Sequence, residues 1–311
     1  MSKISERVPV GSIQKFSVED GPGIRTTIFL KGCPLNCKWC HNPELIDLHQ
    51  QLIQSPNNCI GCGHCIDICP QRAISATEGK GIEIDRRLCS VCLKCADECY
   101  AGALRPVAHL MTVEEILDAA EKDKGFYEHT GGGITISGGE MLLHAAFVNR
   151  LADEARGREI NVCLDTSGYG DGEMLQKLAQ KKNVTDILYD MKSIDDEVHR
   201  QYTGVSNQRI LDNLRMLMSE KYTAEKVTMR MPLIRDVNDT EDIIVKTGEF
   251  YREIGIRKVN LLPYHNLGIS KKRNVGGVQK EFLPPTEERL TALESYFRDE
   301  IGLDVEILGR V

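Results

Sequence analysis

The sequence predicts an α/β chain: a partial, TIM-like (β/α)6 barrel with a small cysteine-rich domain inserted near its start. Three observations carry this. After Leu110 short apolar runs alternate with amphipathic helical patterns, the signature of βα units around a parallel sheet. Ahead of that point, eleven of the twelve cysteines fall in three tight runs between Cys33 and Cys99. Polar residues also recur where each predicted strand ends, and in βα barrels that edge is where sites are built. Boundaries follow from the change in composition: 1–48 for the first part of the barrel, 49–108 for the insertion, and 109–311 for the remainder.

In chain order, residues up to about Gly11 read as a tail, and Ser12–Ser17 alternates as a strand. Asp20-Gly21-Pro22-Gly23 is a turn with little conformational freedom, two glycines flanking a proline. Thr27–Leu30 is a short buried strand that delivers the chain to Gly32. Beyond the insertion, Thr112 with Glu115 forms a capping box opening a helix with apolar Val113, Ile116, Leu117 and Ala120. Strands are predicted over Gly133–Ser137, Ile160–Leu164, Asp186–Tyr189, Val227–Met229 and Val259–Leu262, with a final short one over Val305–Leu308. Helices are predicted over 142–155, 172–182, 207–220, 240–254 and 286–300. Counted with Thr27–Leu30, six strands are parallel, two short of a closed eight-stranded barrel. The stretch 270–285, with its Lys271-Lys272-Arg273 run, reads as a solvated loop, and Cys163 as a core residue.

Cys33-Pro34-Leu35-Asn36-Cys37-Lys38-Trp39-Cys40 sets three thiols in one loop at gaps of three and two residues. Fe–S clusters ordinarily take four cysteines, so three leave one iron open to a small molecule. The spacing, with an aromatic just before the last cysteine, resembles the radical S-adenosylmethionine (radical SAM) signature. A zinc knuckle is the alternative chemistry for such a loop. The other two runs are an internal repeat, Cys59-x2-Cys62-x2-Cys65-x3-Cys69-Pro70 and Cys89-x2-Cys92-x2-Cys95-x3-Cys99-Tyr100. They resemble two-cluster ferredoxin modules, in which the fourth cysteine of each run ligates the other cluster. That resemblance assigns Cys59, Cys62, Cys65 and Cys99 to one [4Fe-4S] cluster, and Cys89, Cys92, Cys95 and Cys69 to the other. Zinc ribbons use separated cysteine pairs instead.

The strand ends suit a zwitterionic sulfonium ligand. Gly138 and Gly139 would let a ligand approach backbone closely, and Glu140 follows them. Lys192 and Arg230 offer cationic donors for a carboxylate. Trp39 and His265 could flank an adenosine. Asp165 and Asp190 are hard oxygen donors for a cation or an ammonium group. Each alone has a plainer reading as a turn or a structural residue, and their shared edge is what gives them weight.

Taken together, the motifs resemble those of the glycyl-radical-enzyme activating enzymes, of which the pyruvate formate-lyase activating enzyme is the best known. The likeness runs from Ser12 to about Gly268. It rests on Asp20-Gly21-Pro22-Gly23-Ile24-Arg25, the Cys33–Asn42 loop, Gly138-Gly139-Glu140, Leu164–Gly168, Asp190-Met191-Lys192, Tyr202–Asn207 and Leu262–Gly268. It implies three [4Fe-4S] clusters, S-adenosylmethionine (SAM), and a monovalent cation held beside the SAM carboxylate by Asp165 and Asp190. Around SAM it implies Trp39, Cys40, His41, Gly139, Asp190, Met191, Lys192, Arg230 and His265. The reduced Cys33/Cys37/Cys40 cluster would cleave SAM to methionine and a 5′-deoxyadenosyl radical. That radical would take a hydrogen atom from a backbone glycine of a large partner enzyme, near the Asp20–Arg25 loop. The insertion sets the chain apart from the pyruvate formate-lyase activator, which lacks it. Activators with the insertion serve other glycyl radical enzymes, such as glycerol or diol dehydratases, choline lyase or sulfonate lyases. An electron donor such as flavodoxin or ferredoxin is implied as a second partner.

Composition narrows the classes. Clustered thiols kept reduced point to a cytoplasmic, metal-bearing protein. The formal charge of −7 argues against a general nucleic-acid binder. No apolar stretch has the length of a signal peptide or a membrane span. Two other functions use the same motifs: a radical SAM enzyme acting on a small molecule, and an electron-transfer iron–sulfur protein on a degenerate barrel.

Overall fold

The structure, a computed structural model, describes residues 6–79 and 81–309. The strands in chain order are β1 (Val8–Ser17), β2 (Arg25–Leu30), β3 (Leu52–Gln54), β4 (Ile74–Ala76), β5 (Ile82–Ile84), β6 (Leu104–Pro106) and β7 (His109–Met111). They continue with β8 (Gly133–Gly138), β9 (Val162–Thr166), β10 (Val184–Asp190), β11 (Val227–Leu233), β12 (Lys258–Pro263) and β13 (Asp304–Ile307). Nine of them form one sheet in the order β13-β12-β11-β10-β9-β8-β2-β1-β7. From β2 to β13 every neighbouring pair is parallel. The partial barrel therefore gains a seventh parallel strand, because β13 continues the sheet beside β12, with Val259 opposite Val305.

Two antiparallel strands close the other edge. β1 pairs with β2, and Val8 of β1 lies opposite Met111 of β7. The tail expected up to about Gly11 lies partly outside the described residues. From Val8 onward it is strand, because Val8 and Val10 alternate into the core at 4% and 2% exposure. The insertion thus leaves after β2 and returns through β7 to the same edge.

The helices pack their apolar faces on the outside of the sheet. Thr112 caps Val113–Glu121 through the expected box, its Oγ1 accepting from the Glu115 amide while Glu115 Oε2 accepts from the Thr112 amide. The helix expected from 142 begins instead as a 3-10 turn, Met141–His144, before Ala145–Gly157. The Glu140 carboxylate accepts the Leu142 amide and tightens this turn, so Leu142 is buried and Leu143 faces out. Asp196–Thr203 is a short polar helix with no apolar stripe long enough to read from sequence; Asp195 caps it by accepting from the Val198 amide. No helix among the described residues is long and apolar enough to cross a membrane.

The stretch 270–285 is not a solvated loop. Leu267–Asn274 is helical, Val275 packs with Leu45 and Val107, and Phe282 is buried against Trp39. Its Lys271-Lys272-Arg273 run hides this, because the anchoring is made by single side chains rather than by a periodic face.

Within 49–108, β3 pairs with β6 and β4 with β5, around a small core of Leu52, Ile74, Ile84, Cys95 and Leu104. Each cysteine run ends in a one-turn helix, His64–Asp67 and Lys94–Asp97. Successive amides in such turns form a concave anion site, which requires left-handed backbone. The first run meets this with Gly61 and Gly63 at φ +71° and +78°; the second puts Val91 and Leu93 at φ +53° and +65°. A β-branched residue there is a genuine outlier, strained by about 1–2 kcal/mol. Val91→Gly should therefore raise thermal stability by up to about 1 kcal/mol, the strain relieved less the entropy of glycine. A loss of stability on denaturation would contradict this.

Candidate functional site

The loop carrying Cys33, Cys37 and Cys40 hangs from its neighbours by backbone hydrogen bonds. The Gly32 and Cys33 amides donate to the Leu45 and Ile46 carbonyls at 2.7 and 2.9 Å. The Asn36 and Lys38 amides donate to the Thr203 and Tyr202 carbonyls at 2.7 and 2.9 Å. These carbonyls end the helix Asp196–Thr203, where they have no partner within the helix. Leu35 is buried below, and Trp39 packs against Tyr202 and Phe282 with ring centroids 5.6 and 6.1 Å apart. The Tyr202–Asn207 motif and the 267–285 stretch therefore support the cysteine loop, a role that sequence did not assign to them.

Burial pushes all three thiols up. For Cys33 the nearby Glu140 adds to the effect; Cys37 reaches about 12 despite the opposing Lys192 cation; and for Cys40 the Asn42 amide opposes the rise. Thiols held this way are protonated on their own and ionise only when a metal takes the charge. Three soft donors in one pinned loop, with the Lys192 ammonium acting on Cys37 and Cys40, fit a sulfur-ligated cluster with one iron left open.

The parallel register brings the other predicted residues to the same edge. Asp190 lies opposite Arg230 between β10 and β11. Lys192 Nζ donates to Asp190 Oδ2 at 2.7 Å, and Arg230 Nη1 stands 3.6 Å from Asp165 Oδ2. Ser137 Oγ donates to the same Asp165 oxygen at 2.6 Å. Burial, only partly opposed by Arg230, pushes the Asp165 carboxyl up to about 6. Burial would lower Lys192, but Asp190 and then Cys37 outweigh it and raise the ammonium. Arg230 Nε and Trp39 Nε1 are buried without a hydrogen-bond partner. Across the loop, the His41 and His265 rings meet edge-on at 3.8 Å. Desolvation, with Lys271 nearby, holds both imidazoles below their ordinary value.

Several residues stand differently from the sequence expectation. A Cβ at Gly138 would strike the Leu30 carbonyl, and one at Gly139 the Gly32 carbonyl. Backbone of β2 and of the cysteine loop fills the Cβ side of these two glycines; the Gly139 and Glu140 amides donate to the Leu30 and Gly32 carbonyls at 2.8 Å. Glu140 is 1% exposed, and its carboxylate is taken up by the Leu142 amide, the Thr166 hydroxyl, and the amide and hydroxyl of Ser167. It ties the ends of β8 and β9 together. The Met191 side chain is in the core, while its amide donates to the Arg230 carbonyl.

The Asp20–Arg25 loop is seated as firmly. Arg25 is wholly buried, donating from Nε to Thr135 Oγ1 at 2.7 Å, from Nη2 to the Ile134 carbonyl at 2.7 Å, and from Nη1 to the Pro22 carbonyl at 2.9 Å. It is a strut beneath the loop, so a partner would meet Asp20–Gly23 and not its guanidinium. Asp20 Oδ2 accepts from Thr27 Oγ1 at 2.8 Å, and Gly21 lies over the buried Cys163.

In the insertion, one cavity is lined by Cys69, Cys89, Cys92 and Cys95. The thiols acting on Cys65 are chiefly Cys62 and Cys59, then Cys99. The fourth cysteine of each run thus sits with the other run. Cys69 and Cys99 each accept a backbone amide, from Ala73 at 3.3 Å and Leu104 at 3.4 Å. Both sets have the donor chemistry of [4Fe-4S] ligation.

The Asp165 carboxyl gives a pH test. Its folded value lies above the unfolded one, so the native state holds the extra proton and stability falls as pH rises between about 4 and 6. Thermal denaturation across that window should show the wild type losing stability relative to Asp165→Asn. Parallel curves would contradict the assignment.

Known proteins are similar to this chain. The model of the radical SAM superfamily matches residues 89–247, that of a 4Fe-4S dicluster domain residues 58–103, and that of a 4Fe-4S single cluster domain residues 19–66. The chain is 43% identical over 278 residues to an isethionate sulfite-lyase activating enzyme of Nitratidesulfovibrio vulgaris, covering 87% of this chain and 89% of that one. It is 38% identical over 279 residues to a choline trimethylamine-lyase activating enzyme of Oleidesulfovibrio alaskensis, covering 88% of each. It is 38% identical over 294 residues to a trans-4-hydroxy-L-proline dehydratase activating enzyme of Clostridioides difficile, covering 92% of this chain and 94% of that one. The solved radical SAM methyltransferase of Sphaerobacter thermophilus shares the fold, with a TM-score of 0.55 at 15% identity over 97% of this chain and 77% of that one. With the cysteine loop, the strand-edge residues and these relatives in view, the chain belongs to the radical SAM superfamily and, within it, to the activating enzymes of glycyl radical enzymes.

Proposed function

We propose that this chain is an activase: it reductively cleaves SAM to a 5′-deoxyadenosyl radical and uses it to take a hydrogen atom from a backbone glycine of a partner glycyl radical enzyme. The observation that carries the reading is the pinned three-thiol loop at the carboxyl edge of the parallel strands, facing the Asp165, Asp190, Lys192 and Arg230 group. In this reading Cys33, Cys37 and Cys40 hold a [4Fe-4S] cluster that supplies one electron to SAM when both are bound. The chain's own residues bind and orient. The orphaned Arg230 Nε and the Lys192 ammonium are donors for the SAM carboxylate. Asp165 and Asp190 offer oxygens to a monovalent cation beside it. His41, His265 and Trp39 border the adenosine.

Residues 49–108 form a ferredoxin-like domain holding two further [4Fe-4S] clusters, on the two cysteine sets described above, between barrel segments 1–48 and 109–311. Electrons come from a flavodoxin or ferredoxin in the cytoplasm, with no part for nucleic acid or membrane. The partner is a glycyl radical enzyme of the non-pyruvate-formate-lyase type, a sulfonate lyase, choline lyase or diol dehydratase, since similar chains carry the names of isethionate sulfite-lyase, choline trimethylamine-lyase and (2S)-3-sulfopropanediol dehydratase activating enzymes. The Asp20–Gly23 loop receives its glycine.

Anaerobic reconstitution tests this. About twelve irons per chain are expected for three four-iron clusters, with 5′-deoxyadenosine formed on reduction with SAM and lost in Cys37→Ala. About eight irons with no cleavage would leave only the insertion loaded and contradict the activase reading.

A further inference from the structure

The segment from Leu267 to Pro285 touches both halves of the chain. Toward the barrel it holds the cysteine loop: Lys271 Nζ donates to Asn42 Oδ1 at 2.6 Å, and Gln279 Nε2 donates to the Cys40 carbonyl at 3.0 Å. Gly268 runs so close to that carbonyl that a Cβ would collide with it. Toward the insertion it meets Arg86. One guanidinium nitrogen donates to the Leu52 carbonyl at 2.5 Å, and the other donates to the Asn274 carbonyl at 3.2 Å. The backbone at Gly276 lies against the side chain, where a Cβ would come within 3.0 Å of Arg86 Nε.

Arg86 is also an unusual cation. Its neighbour Arg87 pairs with Asp85 in the ordinary exposed way, whereas Arg86 has no carboxylate partner among the described residues. The only groups of potentially opposite charge that act on it among the described residues are the thiols of Cys89 and Cys95, two of the four cysteines lining the insertion's cavity, which ionise when a metal takes the charge. Leu52, which accepts its first hydrogen bond, lines the same cavity. A half-buried guanidinium without a carboxylate is unfavourable by itself, and a cluster dianion or trianion on those thiolates is the counter-charge it lacks.

We propose that Arg86 is a positioning residue that bolts the cysteine-rich insertion to the strap 267–285, so that cluster loading of the insertion sets the loop of Cys40 and Asn42 that takes SAM. The inference rests on the activase reading for the identity of the clusters. The chain of contacts is continuous: the Cys69/Cys89/Cys92/Cys95 set, Arg86, Asn274 and Gly276, then Lys271 and Gln279, then Asn42 and Cys40. A positive charge beside one cluster also favours its reduced, more negative form. This makes the Cys69/Cys89/Cys92/Cys95 cluster, and not its neighbour, sensitive to Arg86.

The test uses the fully reconstituted protein with Arg86→Met, Arg86→Lys, Gln279→Ala and the double variant Arg86→Met/Gln279→Ala, each checked for iron content. In Arg86→Met, amide exchange over 267–279 should quicken roughly tenfold, the loss of about one charged hydrogen bond. Its KM for SAM should rise several-fold, and one insertion signal should titrate at a lower potential by EPR. Arg86→Lys should restore the potential but not the exchange. The double variant should raise KM by less than the product of the two single effects, because both act through one strap. Wild-type exchange and potential in an iron-replete Arg86→Met, or KM effects that multiply, would overturn the proposal. If Arg86→Met fails to hold iron, exchange in Arg86→Lys decides, with wild-type protection overturning it. Exchange and potential are read without SAM cleavage, so a failure of the activase reading is distinguishable from a failure of this one.

Discussion

The site depends on amides of the cysteine loop satisfying carbonyls of its neighbours, two of which lack a partner within their own helix. The helix Asp196–Thr203 ends in carbonyls with no partner of their own, and the Asn36 and Lys38 amides supply one each. Gly204, in the left-handed region at φ +87°, turns the chain away and leaves those oxygens clear. Glu140 repeats the logic on the other side, its amide held by the Gly32 carbonyl and its carboxylate by the Leu142 amide and three donors at the end of β9. Three thiols on a floppy loop would wrap a cluster in many ways. Held from both sides, they present one geometry.

The second organising fact is buried charge. Asp165, Asp190, Lys192 and Arg230 sit together at the strand edge with less than a quarter of any side chain exposed. Pairs of this kind gain little for stability over apolar residues of the same size, so their presence at a barrel's carboxyl edge points to a ligand with charges of both signs. Asp20 belongs to the same field, since it acts electrostatically on Arg230 while its loop is anchored through Arg25 to β8. The proposed seats for SAM and for a partner's glycine are therefore joined through Asp20, Arg25 and Arg230.

How much of this could be read beforehand follows from the range of each interaction. The cysteine runs, the capping box at Thr112 and the strands from Gly133 to Leu262 are local patterns, and all are found in the structure. The seventh parallel strand and the early start of β1 depend on pairing partners far along the chain, which periodicity cannot supply. Gly138 and Gly139 were legible as sites of close approach, and the chain's own backbone lies on their Cβ side. Arg25 and Glu140 are charged residues in wholly buried settings, and only the positions of their acceptors and donors reveal them as struts. The strap 267–285 was hidden for the opposite reason: its surface is basic, and its few anchors, Lys271, Gln279 and Phe282, share no period.

In the proposed activase, the Cys33/Cys37/Cys40 loop leaves a metal position for SAM at this strand edge. Electron–nuclear double resonance on the reduced protein with SAM labelled by oxygen-17 in its carboxylate tests it most directly. A hyperfine coupling from the label, absent in Cys37→Ala, is the predicted result. A reduced, iron-replete protein that shows no coupling at saturating SAM would contradict the account.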